Sequence, residues 1–243
     1  MLLNLLLLAS IAINTINLDE DHIIIKGPIN SISTNKFFND VKDVNNNLTI
    51  FINSPGGSVM DGMKIIDHIN MLQDMGNTVN CIADYSASMA FIILQSCTNR
   101  YALRSSVLMQ HQMSLETQGG LYNMKNYLNM IDDIDDYLDE LQTKKINMTL
   151  LDFQFNIKND WWLTGLTAKE HNVIDELVYI KCDKSLYNKK MTLVYPTLFG
   201  NVNLEYSKCP LLRNPLKIIY DNNDNIEQVS NILHKDFLYN NQF

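Results

Sequence analysis

Residues 84–95 read DYSASMAFIILQ, with three small residues, Ser86-Ala87-Ser88, between a short β-branched run and a wholly apolar stretch. Small residues let a strand turn sharply into a helix, and a serine at such a turn is also pushed out where a substrate can meet it. A serine hydroxyl is barely acidic, so Ser88 as a nucleophile needs a base to take its proton and a carboxylate to orient that base. At a helix start, the N–H of the next residue, Met89, would face a developing oxyanion. The plain reading of a serine in this position is a helix cap. A second turn, Ser54-Pro55-Gly56-Gly57, carries two glycines that tolerate positive φ and leave N–H groups uncovered. That suits an oxyanion hole, although a glycine pair after proline is more often just a turn. Candidate bases are His22, His68, His111, His171 and His234. His68 sits among Asp67 and Asn70 on a helix face and reads as solvated, whereas His111 ends the apolar run SVLMQH, where α/β scaffolds present side chains to a cleft. The acids are too numerous to choose among. The residues alone therefore offer a Ser88/His111 pair and leave its third member open.

The elements that must position this pair follow from hydrophobic spacing. HIIIKG (22–27) reads as a strand, and Phe37, Phe38, Val41 and Val44 recur at helical spacing. LTIFIN (48–53) is a buried-type strand, followed by a helix from Val59 through Met63, Ile66, Ile69 and Leu72 that Gly76 closes. Val79 to Ala83 is the next strand, AFIILQ opens a buried helix, and RYAL and SVLMQHQM suggest two more short strands. Strand-helix units with strands buried on both faces imply an α/β fold around a parallel sheet. From Leu121 to Ile146, Met124, Leu128, Ile131, Ile134, Leu138 and Leu141 keep helical spacing, with Asp132, Asp133, Asp135 and Asp136 between them. A helix of that length projects to meet a partner or sets an acidic solvated face over a core stripe.

A chain of 243 residues with 46% hydrophobic residues can bury a sizeable core. Its formal charge of −8 provides no basic field, which argues against nucleic acid as a partner. Cys81, Cys97, Cys182 and Cys209 lack metal-site spacing, so no structural zinc is expected, and they are too few for a disulfide scaffold. The sequence divides into an apolar N-terminal segment (1–20), a main domain (21–183) and a C-terminal extension (184–243) where periodicity fades. The apolar block 2–13 is too short and interrupted for a confident membrane span; it reads either as a signal peptide or as a packing helix. Residues 1–18 thus leave secretory or membrane targeting open beside a cytoplasmic or organelle-matrix location. Asn47-Leu48-Thr49 and Asn147-Met148-Thr149 match glycosylation sequons, a cheap match in an asparagine-rich chain.

FINSPGGSVMDGMKIIDHI resembles the glycine-turn block of the ClpP family, the proteolytic subunit of the Clp serine protease. ASMAFIIL with RYAL and SVLMQHQ is similar to that family's nucleophile and histidine blocks, and DWWLTGLTAKEHNVIDEL to its closing block. The resemblance spans roughly residues 22–182, four blocks in order at nearly the family spacing. It implies a crotonase-like stack of ββα units with Leu121 to Ile146 as a long handle helix. It implies Ser88 as nucleophile, His111 as general base and then acid, and Asp160 as the carboxylate orienting His111. Gly57 and Met89 would supply oxyanion-hole N–H groups, and Gly56, Gly119 and Gly120 would border the bound peptide. The reaction implied is hydrolysis of unfolded polypeptides through an acyl-enzyme, with no metal or organic cofactor. The partners implied are copies of the chain in heptameric rings, joined in pairs by the handle helix and a glycine-bearing strand near 118–120, and an AAA+ unfoldase.

Departures from the family pattern are Asp84 in place of a glycine, two residues fewer between Ser88 and Arg100, Met113 in place of a proline, and Asn172 in place of a glycine. Asparagine is among the residues that best share a left-handed conformation. Two other readings compete with an active peptidase: a non-catalytic structural subunit of a mixed ring, and a membrane-associated signal-peptide-peptidase-like enzyme with a lysine base. The intact Ser88, His111 and Asp160 set disfavours both.

Overall fold

The computed structural model describes residues 13–42, 47–197 and 200–220. The first strand, β1 (Asn14–Leu18), precedes β2 (Ile23–Lys26) and α1 (Ser31–Val41), whose Asn30 cap accepts from the N–H groups of Ile32 and Ser33. Then come β3 (Leu48–Ser54), α2 (Val59–Asp74), β4 (Val79–Ala87), α3 (Met89–Ser96) and β5 (Asn99–Gln110). The long helix α4 (Leu121–Ile146) leads into α5 (Leu150–Ile157), β6 (Trp161–Thr164), α6 (Gly165–Glu170) and β7 (Glu176–Cys182). The extension adds β8 (Lys190–Thr197), β9 (Gly200–Ser207) and β10 (Lys217–Tyr220).

A seven-stranded sheet runs β1-β7-β5-β4-β3-β2, parallel throughout, with β6 added antiparallel to the end of β5. Alternation in the strands explains how both faces are buried. Leu48, Ile50 and Ile52 of β3, with Val79 and Ala83 of β4, join the core of α2 and α3. Phe51 and Ile82 point the other way, into a second cluster with Val178, Leu186 and Cys209. The second face is therefore covered partly by the extension, which is a three-stranded antiparallel sheet with its own cluster of Met191, Leu193, Val202, Leu204 and Tyr206.

Several expectations change. RYAL and the SVLMQ of SVLMQHQM are one strand, β5, which ends at Gln110 and pairs with β4 in two stretches of different register: Ala83 faces Ala102, and Tyr85 faces Val107. The Ser106 hydroxyl fills the irregularity by accepting from Leu103 N–H and donating to the Ala83 carbonyl at 2.8 and 2.6 Å. The cysteines form two disulfides, Cys81–Cys97 and Cys182–Cys209, the second of which ties the extension to β7. Spacing along the chain could not show this, because pairing depends on Cα atoms brought to 6.0 and 5.7 Å by folding. Within the apolar N-terminal segment, residues 14–18 are strand β1, and the block 1–12 lies outside the described residues. No strand forms at 118–120, since a single edge ribbon has nothing to pair with in this chain. No helix among the described residues is long and apolar enough to cross a membrane.

Candidate active site

Strand β4 delivers Ser88 to the start of α3 in a strained conformation, φ 54° and ψ −125°, with its N–H held by the Met109 carbonyl at 2.8 Å. Its hydroxyl makes no cap bond. Instead Ser88 Oγ lies 2.9 Å from His111 Nε2, across the gap between β4 and the end of β5. That rules out the capping role and brings the two sequence-selected residues together. Ser88 and His111 line a cleft of about 80 Å³ with Gly57, Met89, Met113 and Leu138. No lysine among the described residues lines it.

The glycine turn does two jobs. A Cβ on Gly56 would come within 2.5 Å of the Ala87 carbonyl and 2.7 Å of Ser88 Cβ, so Gly56 packs behind the serine and does not border the cleft. Gly57, at φ 144°, faces the cleft; its N–H and that of Met89 take no partner among the described residues. Gly119 and Gly120 lie exposed at the start of α4, outside the cleft lining.

Asp160 stands beside the pair without engaging it. In the antiparallel ladder Gln110 faces Trp161, so the next register step would set His111 opposite Asp160. The ladder stops there, because Asp160 turns out of it at φ 49°. Its exposed carboxylate makes no hydrogen bond or ion pair among the described residues. Trp161 anchors this corner, its ring packed near Phe91, Phe153 and His171.

Asp84, which departs from the family glycine, has a structural explanation. It is the extra residue of a bulge in β4: Ala83 faces Ile52, Tyr85 faces Asn53, and Asp84 falls between. Its buried carboxylate accepts from Asn53 Nδ2 at 2.8 Å and pairs with Arg213 of the extension at 2.7 Å. Burial pushes Asp84 above the usual carboxylate range, and Arg213 and Asn53 only partly counter it. No signal near Asp84 could have revealed a partner 129 positions away. His68, expected to be solvated, is half-buried edge-on to Phe37 and Phe38, and burial lowers its pKa. Asn172 does adopt the left-handed conformation, at φ 57°.

The closing block is held by one ion pair. Arg100, 4% exposed, donates from Nη2 and Nε to the two oxygens of Asp175 at 2.6 and 3.2 Å, and its Nη1 reaches Gln95 of α3 at 2.7 Å. Burial alone would raise Asp175, but the contacts from Arg100 outweigh it and hold the carboxyl below its usual range. The glycine turn, the nucleophile block and the histidine block thus line one cleft, and the closing block packs beside it through β6 and the Arg100–Asp175 pair. Residues 9–181, well over half of the chain, match the family model of the Clp protease, and the chain therefore belongs to that family of peptidases.

Proposed function

We propose that this chain is a serine endopeptidase of the ClpP type that cleaves unfolded polypeptides, working inside a ring oligomer supplied by an AAA+ unfoldase. The observation that carries the reading is the 2.9 Å approach of Ser88 Oγ to His111 Nε2 by a serine that declines to cap its helix. In the reaction, Ser88 Oγ attacks the scissile carbonyl carbon while His111 Nε2 takes the hydroxyl proton. The N–H groups of Gly57 and Met89 stabilise the oxyanion. His111 then returns the proton to the leaving amine, and water, deprotonated by the same imidazole, hydrolyses the ester. For Nε2 to accept, Nδ1 must carry the other proton, and Asp160, one register step away, is the carboxylate suited to hold it there.

One observation favours the second reading, a non-catalytic ring subunit: Asp160 is not bonded to His111. A fluorophosphonate probe separates the two. Adduct at Ser88 in the assembled wild type, lost in His111→Ala and cut by about 10⁴-fold in rate in Asp160→Asn, supports the triad. A confirmed oligomer that takes no label points to the structural subunit.

A further inference from the structure

The cleft beside Ser88 has apolar sides, including Val59, Met89, Ile92 and Ile157, but α4 places two carboxylates in its wall, Asp135 and Asp139. The acids of α4 read from sequence as a solvated face, and Asp132, Asp133 and Asp136 are exposed as that predicts. Asp139 is different. It is only 6% exposed, and one turn further along α4 the Gln142 side chain accepts from Gln110 Nε2 at 2.6 Å, which ties this stretch of helix to the end of β5. Among the described residues its carboxylate accepts one side-chain hydrogen bond, from Gln154 Nε2 at 3.1 Å. No lysine or arginine among the described residues pairs with it, and the charges around it, Asp135 and Asp136, have the same sign. Burial raises both Asp135 and Asp139, and neighbouring aspartates add to the effect. A buried carboxylate is ordinarily matched by a cation, since desolvation without a partner is costly. Here Asp139 lines the nucleophile's own cleft together with Asp135.

We propose that Asp139, assisted by Asp135, selects peptides with lysine or arginine at the residue whose carbonyl Ser88 attacks. The apolar sides take the methylene stem, and the carboxylates take the charged head. This rests on the peptidase reading above and adds to it a substrate class.

The test uses the full chain in its assembled form and two peptidyl diphenyl phosphonates identical except for a lysine or a leucine side chain at that position. Wild type is expected to label at Ser88 faster with the lysine probe, and the lysine-to-leucine rate ratio to fall about 10- to 100-fold in Asp139→Asn. Asp135→Asn should lower the ratio less, and it carries the test if Asp139→Asn does not fold. Leucine preferred by wild type, or a ratio unmoved in the folded variants, overturns the inference while labelling of Ser88 keeps the peptidase. Absence of labelling by either probe and by a plain fluorophosphonate sinks both readings together.

Discussion

Ser88 can present its oxygen to His111 only because its backbone sits at φ 54°, and Gly56 is what leaves room for that turn. A methyl group at Gly56 would strike two backbone atoms, Ala87 O at 2.5 Å and Met89 N at 2.8 Å, and the Ser88 Cβ at 2.7 Å, which no side-chain rotation can move away. Gly56→Ala is therefore expected to slow probe labelling of Ser88 by about 100-fold or more, since a misplacement of about 1 Å suffices for that. Gly76→Ala is the matched control. Gly76 has a similar φ, 87° against 88°, yet nothing lies within 4 Å of its added carbon. It should lose only about 1 kcal/mol of stability and keep its labelling rate.

At the scale of elements, β4, β5 and the closing block are fastened by charges buried to very different degrees. The guanidinium of Arg100 is buried and relies on Asp175, whose side chain is 38% exposed. Asp175→Asn is expected to destabilise by about 1–3 kcal/mol near neutral pH, less than a fully buried pair because water screens the aspartate. The sign follows from the lowered pKa of Asp175. Its contribution is present above the unfolded value of 3.8 and is lost as pH falls through the lower folded value. Thermal melts of wild type and Asp175→Asn should thus differ most near neutrality and converge in acid. Asp84 runs the opposite way, since a raised carboxyl costs stability as pH rises above its unfolded value of 3.8. That cost is the reason Arg213 matters. By pairing with Asp84, the extension steadies the bulge that leads into Ser88.

At the scale of the molecule, α4 is two things in sequence. Its last turns are packed, with Leu138, Gln142 and Ile146 buried, while Leu121, Tyr122, Tyr127, Leu128 and Met130 stand exposed along the first half. In the proposed ring, this exposed apolar half of α4 would be the surface that another copy of the chain covers. Leu128→Asp is expected to lower oligomer mass and peptide hydrolysis together. Unchanged sedimentation in that variant would exclude this half of α4 from assembly.

The alternation of strands and helices from β2 to α3, the limits of α4 and the Ser88/His111 pair were legible along the chain, because hydrophobic period and turn chemistry are local properties, whereas β1 and the joining of RYAL and SVLMQ into one strand were not. LTIFIN announced a strand buried on both faces. What covers its second face was not legible: β8 to β10 carry Pro196 and mix exposed Val194 with buried Leu193, and their sheet packs through contacts with Ile24 of β2 and one another, while Leu186 and Cys209 meet β7. The disulfides, the Asp84–Arg213 pair and the burial of Asp139 belong to the same class. Each joins residues through space, and whether a charge is solvated or stranded depends on which element folds over it. Tertiary structure alone decided these, since burial is a property of the packed molecule and not of any stretch of its sequence.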